Sequence, residues 1–110
     1  MNWIPLSTLD EVDIIKKKSF EHPQLIFKHS TRCSISSMAK SRLDRATAPP
    51  DSEFYYLDLI AHRNISAHVA ETFKVAHESP QVLLIKNGEC VYDESHSGID
   101  MSEIAEQIAA

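Results

Sequence analysis

The chain has 110 residues, a length at which one compact domain, residues 1–110, is expected. Hydrophobic residues make up 43% and charged residues 25% of the sequence, as in ordinary globular proteins, and two cysteines are too few for a disulfide-built scaffold. The net charge of −5 argues against a basic nucleic-acid-binding face, and no apolar run approaches the roughly 20 residues that span a bilayer.

The amino-terminal segment MNWIPLSTLDEVD lacks the basic and apolar stretches of a secretory signal. We therefore expect a cytoplasmic protein that binds neither nucleic acid nor membranes. Thiols are kept reduced in the cytoplasm, so a cysteine there is more often reactive than structural.

The first predicted helix follows Thr8, which forms a capping-box pattern with Glu11. Its apolar stripe consists of Leu9, Val12 and Ile15. His22-Pro23 is expected to end the helix, and the apolar run Gln24–Lys28 is predicted to be a buried strand.

A second helix is predicted from Cys33, because apolar residues then recur at helical spacing. This apolar face consists of Ile35, Met38, Ala39, Leu43 and Ala46. Prolines indicate a loop at 47–52, and the aromatic-rich run Glu53–Leu59 favours a second strand. Asn64 is the expected cap of a third helix.

The clearest local signal is Asn87-Gly88, which is typical of a two-residue hairpin turn. The flanking runs Val82–Lys86 and Glu89–Asp93 are predicted to be its strands. A terminal helix is expected after Asp100, with Glu103 completing a capping-box pattern.

The predicted order is helix, strand, helix, strand, helix, hairpin, helix. Strands separated by helices favour parallel neighbours with right-handed crossovers, and the hairpin adds an antiparallel edge. This order predicts the α/β class with a thioredoxin-like fold, a mixed sheet of four to five strands with helices on both faces.

Cys33 is expected where the first long strand ends and the next helix begins. Unpaired N–H groups and the positive end of the helix dipole favour a thiolate there, and Arg32 adds a positive charge. Ser36 occupies the second cysteine position of a C-x-x-C motif, where its hydroxyl can donate to the thiolate but cannot form a disulfide. The sequence predicts a monothiol nucleophile, and the alternative is an inert helix residue.

Cys90 is the other thiol, and strand geometry argues against a pairing with Cys33. Strand residues rise about 3.3 Å each, so the hairpin's first strand carries the chain roughly 20 Å from Pro80 to the turn. Cys90 follows that turn and is predicted to be a packing residue at the opposite pole.

Ser79-Pro80 opens the strand beside the predicted nucleophile, where a cis peptide bond and a substrate-binding backbone are expected. Gly98 can allow a ligand to approach closely, or can simply form a turn. Four histidines fall near strand ends, but none has compact metal-ligand spacing, so no metal site is predicted. Individually each is expected at the surface or at a helix cap; they are His29, His62, His77 and His96.

The segments TRCSIS, HESPQVLLIKNGE and SHSGI, read together, resemble the monothiol bacilliredoxins of the bacillithiol system. The resemblance extends over nearly the whole chain. It implies that Cys33 is the catalytic nucleophile and that Ser36, Ser79 and Pro80 match the family's surrounding positions. The family's T-C-P-I-S motif has a proline where this chain has Ser34.

The resemblance also implies an oxidoreductase that removes bacillithiol, or a similar low-molecular-weight thiol, from mixed disulfides on client proteins. The small thiol is then a co-substrate, and no tightly bound cofactor is expected. Two alternatives stay open. One is a monothiol glutaredoxin-like iron–sulfur carrier, because C-S-I-S shares the C-x-x-S form. The other is a thioredoxin-like binding module without redox catalysis.

Overall fold

The computed structural model describes residues 1–110, which form a five-stranded mixed sheet with helices on both faces. The strands are β1 Trp3–Pro5, β2 Gln24–His29, β3 Glu53–Asp58, β4 Gln81–Lys86 and β5 Glu89–Ser95. The helices are α1 Leu9–Lys18, α2 Ser34–Asp44, α3 Arg63–Phe73 and α4 Met101–Ala109, and a 3-10 turn covers His96–Gly98. A bilayer-spanning helix, which needs both greater length and a continuous apolar surface, is not found among these four.

The strand order is β1-β3-β2-β4-β5. Strands β1, β3 and β2 are parallel, whereas β4 pairs antiparallel with β2 and β5 pairs antiparallel with β4. The predicted antiparallel hairpin at the sheet edge is therefore confirmed. The C-terminal ends of β2 and β3 and the N-terminal end of β4 lie at the same end of the sheet, because Lys28 is paired with both Leu57 and Gln81.

The sequence analysis missed β1. Three residues that include a proline are too short to show the alternation typical of a strand. Trp3 pairs with Phe54 at the outer edge of β3 and stacks on Phe27, with ring centroids 5.5 Å apart. Tertiary packing of the indole, rather than a local pattern, thus fixes this strand.

The two faces of the sheet bury separate apolar clusters because successive strand side chains point to opposite sides. Ile26 faces α1 and α3, whereas Leu25 and Phe27 face α2 and α4. Each helix contributes buried side chains to one cluster; these include Val12, Ile15, Ile65 and Val69 on one face and Ala39, Leu43 and Ile104 on the other. Strand β2, which leads to Cys33, is therefore packed against helices on both faces of the sheet.

Two of the predicted caps are confirmed: the side chains of Thr8 and Asp100 accept hydrogen bonds from the third residues of α1 and α4. The predicted cap at Asn64 is wrong, because α3 already begins after His62. The carboxylate of Asp58 accepts the N–H groups of Ile60 and Ala61, and α3 begins two residues earlier than a cap at Asn64 would place it. Helix α1 likewise ends at Lys18, before the predicted stop at His22-Pro23.

The predicted apolar face of α2 is partly wrong. Ile35 and Met38 are 48% and 62% exposed, and the buried residues of the helix are Ser36, Ala39 and Leu43. Only a narrow stripe of α2 contacts the sheet, so apolar residues one position to the side remain in solvent. Leu9, which was predicted on the apolar stripe of α1, is the first residue of that helix and is also exposed.

Lys28 is fully buried at the penultimate position of β2. Its Nζ donates to the carbonyl oxygen of Ser66 at 3.2 Å and lies 3.2 Å from Nδ1 of His77. Burial lowers the pKa of the Lys28 ammonium to about 8. A buried amine thus joins the strand that leads to Cys33, the start of α3 and the segment before Pro80.

Lys28→Met tests the cost of this burial. In the unfolded chain a lysine has a pKa of about 10.4, so below pH 8 both states hold the proton and the folded state bears the full desolvation cost. Between pH 8 and about 10.4 the unfolded state binds more protons, and the contribution of this group to stability rises with pH. We expect Lys28→Met to raise the free energy of unfolding by roughly 1–2 kcal/mol at pH 7 and by much less near pH 10.

Urea denaturation at both pH values measures this difference. The exposed Lys17→Met substitution is the control and should shift stability little at either pH. An equal effect of Lys28→Met at pH 7 and pH 10 would contradict the depressed pKa.

Candidate active site

Cys33 occupies the N-cap position of α2, immediately after the turn that follows β2. Its N–H donates to the carbonyl oxygen of Ser30 at 3.2 Å, and its own carbonyl oxygen accepts the N–H of Ser37 at 3.0 Å. The thiol is free and partly exposed. The structure therefore places Cys33 where the sequence predicts it, at the positive end of a helix dipole.

Neither the Cys33 side chain nor the neighbouring Arg32 is engaged in a capping hydrogen bond or an ion pair. The side chain accepts no capping hydrogen bond from the first turn of α2. Arg32 is exposed next to it and forms no ion pair. The helix terminus and the free guanidinium are thus both available to an anionic group at this position.

Ser36 does not make the predicted hydrogen bond to Cys33, and that prediction is wrong. The side chain is fully buried, its Oγ accepts the N–H of Ser30 at 3.0 Å, and it lies 2.6 Å from Nδ1 of His29. Ser36 belongs to the inward stripe of α2, with Ala39 and Leu43, so its hydroxyl points toward the end of β2. Its position in the C-x-x-S motif is as predicted, but its contacts are with the strand.

His29 is the site residue that sequence reasoning missed, since it is neither at the surface nor a helix cap. It is 5% exposed, its ring lies 5.7 Å from that of Phe27, and burial together with the charge of Lys40 lowers its pKa. The imidazole is therefore neutral near pH 7. We call the contacts among His29, the Ser30 N–H and Ser36 the β2–α2 clamp. The sequence feature that could have indicated its role is its position: His29 is a polar residue at the end of β2, a strand whose residues are all buried.

Ser79 and Pro80 lie at the same end of the sheet as Cys33. Pro80 directly precedes Gln81, which is opposite Lys28 near the end of β2. The Ser79-Pro80 peptide bond is cis, and the carbonyl oxygen of Pro80 accepts the N–H of His96 at 3.0 Å. The hydroxyl oxygen of Ser79 is buried without a hydrogen-bond partner. A buried donor without a partner is costly, so the Ser79 hydroxyl is a polar group whose hydrogen-bonding capacity is unused within the chain.

Gly98 ends the exposed 3-10 turn next to this end of the sheet. A Cβ at this position would lie 2.7 Å from Cδ of Glu94, so the close approach is to a side chain of the same chain. The contact of Gly98 with a ligand stays a prediction.

Cys90 lies at the opposite end of the sheet, as predicted. It pairs with Ile85, which in turn pairs with Gln24 at the beginning of β2, whereas Cys33 follows the end of that strand. Both cysteines are free. Burial raises the pKa of the Cys90 thiol to about 11, and its Sγ donates to the carbonyl oxygen of Tyr92 at 3.3 Å.

Two other histidines near this end of the sheet, His77 and His96, contact residues other than Cys33. Nδ1 of His77 lies 3.2 Å from the hydroxyl of Ser66, and Nε2 of His96 lies 3.6 Å from a carboxylate oxygen of Glu78. His62 is the N-cap of α3. No group of three or more histidine, cysteine, aspartate and glutamate side chains is placed to hold a metal ion.

Ser36→Ala tests the β2–α2 clamp. The substitution leaves one ring nitrogen of the buried His29 and the partly buried Ser30 N–H without their partner, so we expect a loss of about 1–3 kcal/mol in the free energy of unfolding. Ser37→Ala, at the neighbouring exposed position, is the matched control and should stay within about 0.5 kcal/mol of the parent chain. Urea denaturation of the three proteins gives the comparison, and equal stabilities of the two variants would refute the clamp.

Solved structures with the same fold cover almost the whole chain. A structure described as a candidate oxidoreductase with a thioredoxin fold is 31% identical, covers 94% of this chain and 90% of its own, and has a TM-score of 0.81. Mitochondrial thioredoxin 3 from Saccharomyces cerevisiae, in its oxidised form, is 21% identical over 97% and 93% of the two chains, with a TM-score of 0.70. A thioredoxin from Malassezia sympodialis is 17% identical over 98% and 89%, with a TM-score of 0.73. The last two show the fold alone, and the predicted thioredoxin-like fold is confirmed.

A family-level comparison gives the narrower relationship. The family described as Monothiol bacilliredoxin BrxC matches residues 4–104, which include Cys33, the β2–α2 clamp and the Ser79-Pro80 segment. This family and the 31% identical structure both support a redox thiol protein. The chain belongs to the monothiol bacilliredoxin family.

Proposed function

We propose that this protein is a cytoplasmic thiol-disulfide oxidoreductase that removes bacillithiol, or a similar low-molecular-weight thiol, from mixed disulfides on client proteins. The observation that carries the proposal is the position of Cys33: a partly exposed thiol at the N-terminus of α2, next to the Ser79-Pro80 segment. Membership in the bacilliredoxin family supports the same reading.

The first step is an exchange between sulfurs. The Cys33 thiolate attacks the small-thiol sulfur of the mixed disulfide, a bond forms between Cys33 and the small thiol, and the bond to the client sulfur breaks. The client leaves as a thiolate, which takes a proton from solvent. The client cysteine is thereby reduced, and Cys33 holds the oxidising equivalent as a new mixed disulfide.

The second step restores Cys33. A second small-thiol thiolate, or a thiol of a partner reductase, attacks the small-thiol sulfur on Cys33 and releases Cys33 as a thiolate. With a second small thiol, the product is the small-thiol disulfide, so one free small thiol is consumed for each client cysteine that is released as a thiol. The small thiol is a co-substrate, and the exchange needs no resident metal or organic cofactor.

The surrounding residues have separate proposed roles. The helix N-terminus and Arg32 stabilise the Cys33 thiolate and the leaving thiolate. The backbone of Ser79 and Pro80, with Gly98 beside it, positions the client chain. Ser36 acts differently, because its contacts hold the first turn of α2 against β2.

The monothiol character follows from where the other groups lie. Cys90 is separated from Cys33 by the length of β2, about five residues at roughly 3.3 Å each, and a disulfide needs α-carbons within about 7 Å. Ser36 occupies the resolving position with a hydroxyl, which cannot form a disulfide. The Cys33 adduct therefore has to be cleared by an external thiol.

Intact mass after treatment with oxidised bacillithiol or oxidised glutathione tests this function. We expect one adduct per chain in the parent protein and in Cys90→Ser, with rates within about twofold, because burial keeps Cys90 protonated. Cys33→Ser should take up no small thiol. An adduct on Cys33→Ser, or an unreactive parent chain, would overturn the proposal, and the second result would favour a binding module without redox catalysis.

A further inference from the structure

A shallow groove runs along the outer side of α2, starting near the N-terminus of the helix, where Cys33 lies. Its first part is a cavity of about 150 Å³ between Ile35 and Met38 of the helix and His96 of the 3-10 turn. That turn is joined to the Ser79-Pro80 segment by the hydrogen bond from the His96 N–H to the Pro80 carbonyl oxygen. The groove therefore begins beside the predicted client-binding end of the sheet, and its first walls are the exposed apolar side chains of α2.

The second part of the groove is basic. A cavity of about 390 Å³ continues past Met38 and Arg42 to Arg45, with the hydroxyls of Ser37 and Ser41 along it. Together these two cavities, which share Met38 and Arg42, are called the α2 groove. Its surface changes from apolar to cationic with distance from Cys33.

The arginines of the groove form no ion pair within the chain, although Arg42 lies close enough to Asp100 to contribute, after the hydrogen bonds from Ser102 and Glu103, to the lowered pKa of that carboxyl. The one acidic residue of α2, Asp44, pairs with Lys40 at 2.8 Å, whereas Arg42 and Arg45 form no ion pair. Arg42 donates one hydrogen bond, to the carbonyl oxygen of Ile99 at 3.2 Å, and its other N–H groups remain available. In a chain whose net charge is −5, two unpaired guanidiniums on one groove favour a ligand that carries carboxylates.

The distance from Cys33 decides what kind of ligand fits. A helix rises about 1.5 Å per residue, so Arg42 and Arg45 lie about 14 and 18 Å along α2 from Cys33. A small thiol of tripeptide size extends only about 10 Å. An extended protein segment, at about 3.3 Å per residue, reaches the same distances in four to six residues.

We propose that the α2 groove docks an extended, acidic segment of the client protein, with carboxylate side chains four to six residues from the cysteine that carries the mixed disulfide. An apolar side chain nearer that cysteine packs on Ile35 and Met38. This proposal rests on the proposed function and adds to it the chemical class of the preferred client.

Two synthetic peptides test the docking. Each carries one cysteine in a mixed disulfide with glutathione, and they differ only in having glutamates or lysines at the fourth to sixth positions on both sides. The readout is the ratio of the two rate constants for release of the peptide thiol at low salt. We expect the acidic peptide to react about three- to tenfold faster, despite the negative net charge of the protein, and the ratio to fall toward one at high salt.

Charge-reversal variants show which residues cause the preference for the acidic peptide. The double variant Arg42→Glu with Arg45→Glu should invert the ratio, and Arg45→Glu alone, which removes no hydrogen bond, should lower it. The matched control is Lys16→Glu with Lys17→Glu on the far end of α1, which makes the same change in net charge and should leave a preference for the acidic peptide.

Equal rates for the two peptides with the parent chain, or an unchanged ratio in the Arg42 and Arg45 variants, would overturn the docking proposal alone. Failure of Cys33 to react with either peptide would overturn both the docking proposal and the proposed function.

Discussion

The site depends on the β2–α2 clamp, the buried contacts that fix the first turn of α2 to the end of β2. Ser36 Oγ accepts the N–H of the partly buried Ser30 and lies 2.6 Å from Nδ1 of His29, and both the Ser36 and His29 side chains are buried away from water. Ser30 also accepts the N–H of Cys33. The position of the thiol at the helix start is thereby set by a small polar network under it.

The clamp changes the meaning of the serine in the C-x-x-S motif. Read from the sequence, Ser36 is a hydroxyl that replaces a resolving thiol and donates to Cys33. In the fold it is a structural contact whose oxygen faces the strand. The two readings agree on the monothiol consequence, since a hydroxyl forms no disulfide, but they assign the stabilisation of the thiolate to different groups. The helix terminus and Arg32 are the groups to which we assign that role in the proposed function.

Local sequence patterns, such as helix caps and turn residues, predicted most of the fold. Thr8 and Asp100 cap their helices as expected, and Asn87 and Gly88 both adopt positive φ in the hairpin turn. The short strand at Trp3 was missed because its stability comes from an indole packed on Phe27, which no local pattern shows. The predicted order of strands and helices also placed Cys33 at the end of a strand and the start of a helix, where the structure has it.

The contacts within the site could not be predicted in the same way. His29 and Ser36 are seven residues apart and meet only because α2 folds back over the end of β2. Helical periodicity put Ile35 and Met38 in the core, yet the stripe of α2 that touches the sheet is narrower than the apolar pattern suggested. Their exposure next to two unpaired arginines is what defines the α2 groove.

The most direct test of the account is the lifetime of the Cys33–small-thiol adduct in the parent chain and in Ser36→Cys, with Ser36→Ala as the control for loss of the clamp. A thiolate at position 36 should attack the Cys33 sulfur, expel the small thiol and leave an internal disulfide, so the adduct should disappear without an added thiol. The parent and Ser36→Ala adducts should persist under the same conditions. An adduct in Ser36→Cys that lasts as long as in the parent chain would contradict the claim that the residue at position 36 makes this site monothiol.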